Sequence, residues 1–176
     1  MPESQQPQEG IAIMRSKILA CRPKRVVDVG AGDGKWGQIL HHLVDEIVAI
    51  EVWQPYVDKY NLRSIYDAVV CTDVRKWYGW KAGDVIIMGD VLEHMTRRDA
   101  LALVRGCRAF GTVFLTIPTT PCPQDGEVYG NPYETHVDQW THEELIAEGW
   151  ELLHQGPNPK RLAMIGTYVM RRALPK

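Results

Sequence analysis

At 176 residues the chain has the length of one domain, and enough of it to bury a core without a disulfide or metal staple. Its hydrophobic content of 45% and charged content of 24% are those of an ordinary folded chain, and a formal net charge of -2 argues against broad, non-specific nucleic-acid binding. The four cysteines, Cys21, Cys71, Cys107 and Cys122, are scattered without a C-x-x-C pair, which excludes an obvious zinc or disulfide framework and fits free thiols in a reducing, cytoplasmic setting. No apolar run approaches the ~20 residues that span a bilayer, so no membrane partner is expected. The opening MPESQQPQEG is polar and lacks the apolar centre of a signal peptide. Residues 1–10 are expected to be a disordered leader and residues 11–176 a single domain.

The first element is a helix over 11–22, with Ile11, Met14, Ile18 and Leu19 at helical spacing and Pro23 ending it. RVVDVG (25–30) is a short β-branched run that enters a turn with Gly30, Gly32 and Gly34 at alternate positions, and GKWGQILHHLV then reads as a helix. EIVAIEV (46–52) is a second strand, QPYVDKYNLR a short helix, and YDAVVCTDV (66–74) a third strand with an acidic end. DVIIMGDV (84–91) is the fourth strand and the most plainly buried; a helix follows over 96–108, then a fifth strand, GTVFLTIP (111–118). The alternation of strand and helix predicts a parallel sheet with helices on both faces.

Beyond residue 118 the pattern breaks. The stretch 118–140 is rich in proline and aromatic residues, carries Tyr129, Tyr133 and Trp140, and has no period; loops of this length are usually functional or disordered. It is expected to be the acceptor-side cover of a site. Thr141 and Glu144 form a capping-box signature for a last helix, and residues 150–157 and 161–172 read as strands of an antiparallel hairpin.

Ligands of open α/β sheets sit at the carboxyl ends of the strands. Those ends carry Asp28 with Gly30, Ala31 and Gly32; Glu51 with Val52 and Trp53; Asp73 with Val74; and Gly89 with Asp90. The position where a dinucleotide fingerprint wants its third glycine holds Lys35, and a pyrophosphate would meet Asp28, Asp33 and Asp90 on one rim, which sets an NAD site aside. A ligand with a ribose and a cationic centre suits the rim better. Glu51, about 20 residues beyond the glycine turn, is placed to accept both ribose hydroxyls.

VVDVGAGDGKWG, AIEV, CTDV and DVIIMGDVLEHM, in that order, resemble the successive motifs of the class I S-adenosylmethionine-dependent methyltransferases, the small ones with a DVLEH segment after the fourth strand in particular. The resemblance implies an α/β, Rossmann-like, seven-stranded methyltransferase sheet of order 3-2-1-4-5-7-6, with strand 7 antiparallel and helices on both faces. It implies S-adenosyl-L-methionine as cofactor, with its methionine part on the Gly30–Gly34 turn, its ribose on Glu51, its adenine against Val52 or Trp53 and its exocyclic amine on Asp73. Asp73 read alone has a helix N-cap as its lesser alternative, and Asp28 equally suits a role in orienting the glycine turn.

Methyl transfer from a sulfonium needs alignment more than acid catalysis, and a base helps when the acceptor is a hydroxyl. His136, in the long loop, is the preferred base, and His94, in the DVLEH turn, is the second candidate; His142 reads as structural. Glu93, His94 and His136 could in principle supply three metal ligands, but their spacing follows no metal pattern and no metal is expected. The acceptor is expected to be a small molecule or glycan methylated on oxygen. An RNA or protein acceptor is the alternative within the enzyme class, and a non-catalytic binding protein on the same fold is the alternative outside it. The sequence leaves the oligomeric state open, a homodimer included.

Overall fold

The protein is described by a computed structural model covering residues 8–124, 130–158 and 162–172. Helix α1 (Gln8–Ala20) starts inside the stretch expected as a leader, because Gly10 is buried and Met14 and Ile18 anchor the helix on the core; residues 1–7 lie outside the described residues. Strand β1 (Arg25–Val29) is buried at every position, as a central parallel strand covered on both faces must be. It is followed by α2 (Lys35–Leu40), β2 (Glu46–Glu51), α3 (Gln54–Lys59), β3 (Ala68–Cys71), β4 (Val85–Gly89), α4 (Arg97–Phe110), β5 (Thr112–Pro118), α5 (His142–Ala147), β6 (Glu151–Asn158) and β7 (Ala163–Met170).

The seven strands form one sheet in the order β3-β2-β1-β4-β5-β7-β6. Strands β1 to β5 pair in parallel, and β7 runs antiparallel to both β5 and β6. Sheet order, strand direction and hairpin all agree with the sequence expectation. The third strand is shorter than expected: β3 is an edge strand with no fully buried position, and the chain turns at Asp73 into a single 3-10 turn over Val74–Lys76.

Alternation along the strands divides the core. Val27, Val29, Ile86, Met88 and Leu115 face α4 and α5, where Leu103, Val104, Cys107 and Leu145 cover them. Val26, Ile47, Ala49, Ile87 and Phe114 face α1, α2 and α3, where Met14, Ile18, Trp36, Leu40 and Val57 cover them. Thr96 caps α4 by accepting from the Asp99 N–H, and the Thr141–Glu144 capping box forms as read from the sequence. Trp140 is buried in this core, beneath the Arg97 guanidinium 3.7 Å from its ring, so it is a packing residue and not part of a covering aromatic surface. Among the described residues no helix is long and apolar enough to cross a membrane.

Candidate active site

The amino ends and carboxyl ends of the parallel strands differ in chemistry. At the carboxyl ends lies a cleft of about 240 Å³, floored by the glycine turn and walled by the ends of β2, β3 and β4. Gly30, Gly32 and Gly34 have φ of 69°, 53° and 81°, the left-handed region that glycine enters without penalty. At Gly30 a Cβ would also stand 2.7 Å from Val91 Cγ2, so the turn needs glycine there both for conformation and for space.

The Glu51 carboxylate, 4% exposed, is held at the cleft by its two oxygens: Oε2 accepts from the Gly32 N–H at 2.9 Å and Oε1 from the Trp53 N–H at 2.8 Å. Each carboxylate oxygen has two acceptor sites, so capacity for a ligand hydroxyl remains on both. Burial raises the Glu51 pKa, and the backbone donors of Trp53 and Gly32 oppose that rise. Asp28 is also buried, and burial pushes its carboxyl up to about 7, against the Tyr66 hydroxyl that donates to it at 2.5 Å. Tyr66 in turn accepts from the Gly37 N–H at 3.1 Å, so Asp28 braces β1 and α2 against the segment before β3 as well as lining the cleft.

Asp73 caps the turn after β3 through the Arg75 N–H at 2.9 Å and pairs with the Arg75 guanidinium at 2.6 Å, which lowers its pKa; its residue still lines the cleft, beside Val74. The capping alternative is therefore realised. Gly89 and Asp90 line the opposite wall, and Asp90 is held at φ 54°, an uncommon conformation for a residue with a Cβ. Ala31 and Val52 line the cleft too; Trp53 is not one of its wall residues, but its ring lies 6.1 Å from that of Tyr133, which is.

The long loop folds back over the cleft. Val137 and Asp138 donate their N–H groups to the Glu93 carbonyl at 2.8 and 3.1 Å, and Arg97 pairs with Asp138 at 2.8 Å. These bonds tie the loop to the turn after β4 and bring His136 beside His94, with ring centroids 5.0 Å apart. His94 Nδ1 meets the Thr135 carbonyl at 3.1 Å, and His136 Nδ1 meets the Cys122 carbonyl at 2.6 Å. A carbonyl only accepts, so each neutral ring carries its proton on Nδ1 and its lone pair on Nε2. The buried Glu93 completes a group in which each residue brings a ligand atom within 4.8 Å of the other two. His142 instead meets the Tyr168 hydroxyl at 3.0 Å, away from the cleft, as its structural reading expects.

Sequence reasoning missed several lining residues. Asn131, whose side chain caps a short turn through the Tyr133 N–H, and Glu134 both reach the cleft from the loop. The Asn-Pro pair was a turn signal, but no period indicated which way the turn would face. Lys35 lines the cleft as well; burial lowers its pKa, while Asp90, Asp33 and Asp28 act to raise it. Tyr129 lies outside the described residues.

Neither a family model nor a curated protein matches the sequence. Solved structures do match the fold. The N-terminal domain of EvdMO1 with SAH bound superposes with a TM-score of 0.68 at 14% identity, covering 95% of this chain and 82% of that one. Magnesium protoporphyrin IX methyltransferase from Synechocystis PCC 6803 with bound SAH gives 0.65 at 13% identity, covering 94% and 84%. The 1,6-didemethyltoxoflavin-N1-methyltransferase of Burkholderia thailandensis, with its substrate and S-adenosylhomocysteine bound, gives 0.59 at 18% identity, covering 96% and 91%. The chain has the fold of the class I S-adenosylmethionine-dependent methyltransferases.

Proposed function

We infer that the protein is a methyltransferase that binds S-adenosyl-L-methionine and methylates a hydroxyl of a small molecule or glycan. The observation that carries this reading is Glu51, a buried carboxylate fixed at the end of β2 by two backbone donors with acceptor capacity left toward the cleft. The fold neighbours with SAH bound support the same reading, and two of them are methyltransferases named for small-molecule substrates, a magnesium porphyrin and a toxoflavin precursor.

When bound, S-adenosylmethionine supplies an electrophilic methyl group on a sulfonium. The residues present suit that group: seven lining side chains are carboxylic acids against Lys35, Arg75 and the imidazoles of His94 and His136, an environment that favours a cation and repels a pyrophosphate. In this reading Glu51 accepts from the ribose hydroxyls, Val52 packs on the adenine, and Asp73 accepts from its exocyclic amine. Gly30, Ala31 and Gly32 leave room for the methionine part, with Asp28, Gly89 and Asp90 around it and Val74 on the adenine side. The loop segment carrying Asn131, Glu134 and His136 excludes water over the acceptor. His136, or His94 beside it, takes the hydroxyl proton on Nε2 as the oxygen attacks.

The experiment is incubation of the purified chain with methyl-labelled S-adenosylmethionine and a metabolite extract. Labelled product that disappears with Glu51→Gln is the expected result. Failure to bind the cofactor at all contradicts the reading.

A further inference from the structure

The cluster of Glu93, His94 and His136 does more than place two candidate bases side by side. Glu93 is 2% exposed, on a turn that follows β4 directly, and its backbone carbonyl holds the loop that delivers His136. Its carboxylate is an acceptor-only group and brings a negatively charged oxygen donor to this end of the cleft. Both imidazoles are fixed through Nδ1 by main-chain carbonyls, Thr135 for His94 and Cys122 for His136. That bond is the usual orienting contact of a metal-bound histidine: it sets the tautomer, presents the Nε2 lone pair and raises its basicity. Each of these two anchored histidines brings a ring nitrogen within 4.8 Å of an oxygen of the buried Glu93 carboxylate, which makes the three a candidate ligand set.

The geometry points to a binding site for a divalent first-row transition-metal ion formed by Glu93, His94 and His136, at the acceptor side of the cleft. Imidazole and carboxylate together suit zinc, cobalt or manganese better than magnesium or calcium, which take oxygen ligands. Ligand atoms on one ion with bonds of about 2.1 Å stand roughly 3.0–3.5 Å apart, so the group, now within 4.8 Å, closes by about 1–2 Å on binding. Three protein ligands leave positions open toward the cleft that His94, His136 and Glu93 all line.

The site deepens the methyltransferase reading and rests on it for its role. With the ion bound, His94 and His136 are ligands and no longer take a proton. The acceptor hydroxyl binds the ion through oxygen, its pKa falls, and its proton passes to water.

The test uses the full chain, stripped with a chelator and titrated with Co²⁺ and then Zn²⁺, read by the visible absorption of cobalt and by equilibrium dialysis. The expected result is one ion per chain, with cobalt bands of nitrogen and oxygen ligation and no thiolate charge-transfer band. His94→Ala and His136→Ala should each weaken binding at least about tenfold. Absence of stoichiometric binding, a thiolate band from Cys21 or Cys71, or unchanged affinity in both variants would overturn the proposal. Calorimetry with S-adenosylhomocysteine on the same samples separates the two readings. Cofactor binding without metal binding removes the ion and keeps the methyltransferase, whereas metal binding without cofactor binding keeps the site and removes the methyltransferase.

Discussion

The two edges of the parallel sheet treat buried charge in opposite ways. At the amino edge Arg25 and Asp84, 7% and 2% exposed, pair through two nearly parallel contacts of 2.9 and 2.6 Å. The Gly79 carbonyl accepts a further Arg25 N–H at 2.8 Å, and the Lys81 N–H donates to Asp84 at 2.8 Å. At the carboxyl edge Asp28 and Glu51 are buried as deeply, but what holds them is a tyrosine hydroxyl and backbone N–H groups, and burial raises both pKa values. One edge is electrostatically closed and serves the fold; the other is left acidic and serves a ligand. The carboxyl edge also carries left-handed backbone at Gly30, Gly32, Gly34 and Asp90.

Breaking the closed edge should have the largest effect on stability. Asp84→Ala leaves the Arg25 guanidinium buried without its carboxylate and is expected to cost about 3–5 kcal/mol in chemical denaturation, while the surviving folded protein keeps its cofactor affinity. Next comes pH. The Asp28 carboxyl keeps its proton in the folded chain up to about 7, whereas in the unfolded chain it ionises above about 3.9. Its contribution to stability is therefore full below about pH 4 and is lost as the pH rises to about 7, a change on the order of a few kcal/mol. Asp28→Asn should flatten that part of the profile of unfolding free energy against pH; an identical slope in the variant would remove Asp28 as its source.

Glu51→Gln tests the open edge itself. It should weaken cofactor affinity by ~2–3 kcal/mol, roughly 30- to 150-fold by calorimetry, with far less effect on stability than Asp84→Ala. The smallest expected change is Gly32→Ala, at about 1–2 kcal/mol of stability, because its Cβ adds left-handed strain at φ 53° but meets nothing nearer than 3.8 Å; thermal unfolding measures it.

The difference between the edges also explains what the sequence revealed. Strand order was legible because β-branched runs end abruptly in acid and glycine, and those ends carry Asp28, Glu51, Asp73 and Asp90 into the cleft wall. The Arg25–Asp84 pair was not legible, since two charges far apart in the chain meet only through the register of β1 and β4. Trp53 and Trp140 were read by residue type, but where an indole points is decided by tertiary neighbours, Tyr133 for one and the core for the other. The approach of His136 to His94 depends on two backbone bonds from the loop to the Glu93 carbonyl, which no spacing rule reports. Asn131 and Glu134 entered the cleft wall through the same aperiodic loop.

The central claim is that the open, acidic edge is a nucleoside site for a sulfonium cofactor. Isothermal titration of the purified chain with S-adenosylhomocysteine, and separately with NAD, tests it most directly. The account predicts saturable binding of S-adenosylhomocysteine at one site per chain, much weaker in Glu51→Gln, with no comparable binding of NAD. Tighter binding of NAD, or binding of S-adenosylhomocysteine that Glu51→Gln leaves unchanged, would contradict it.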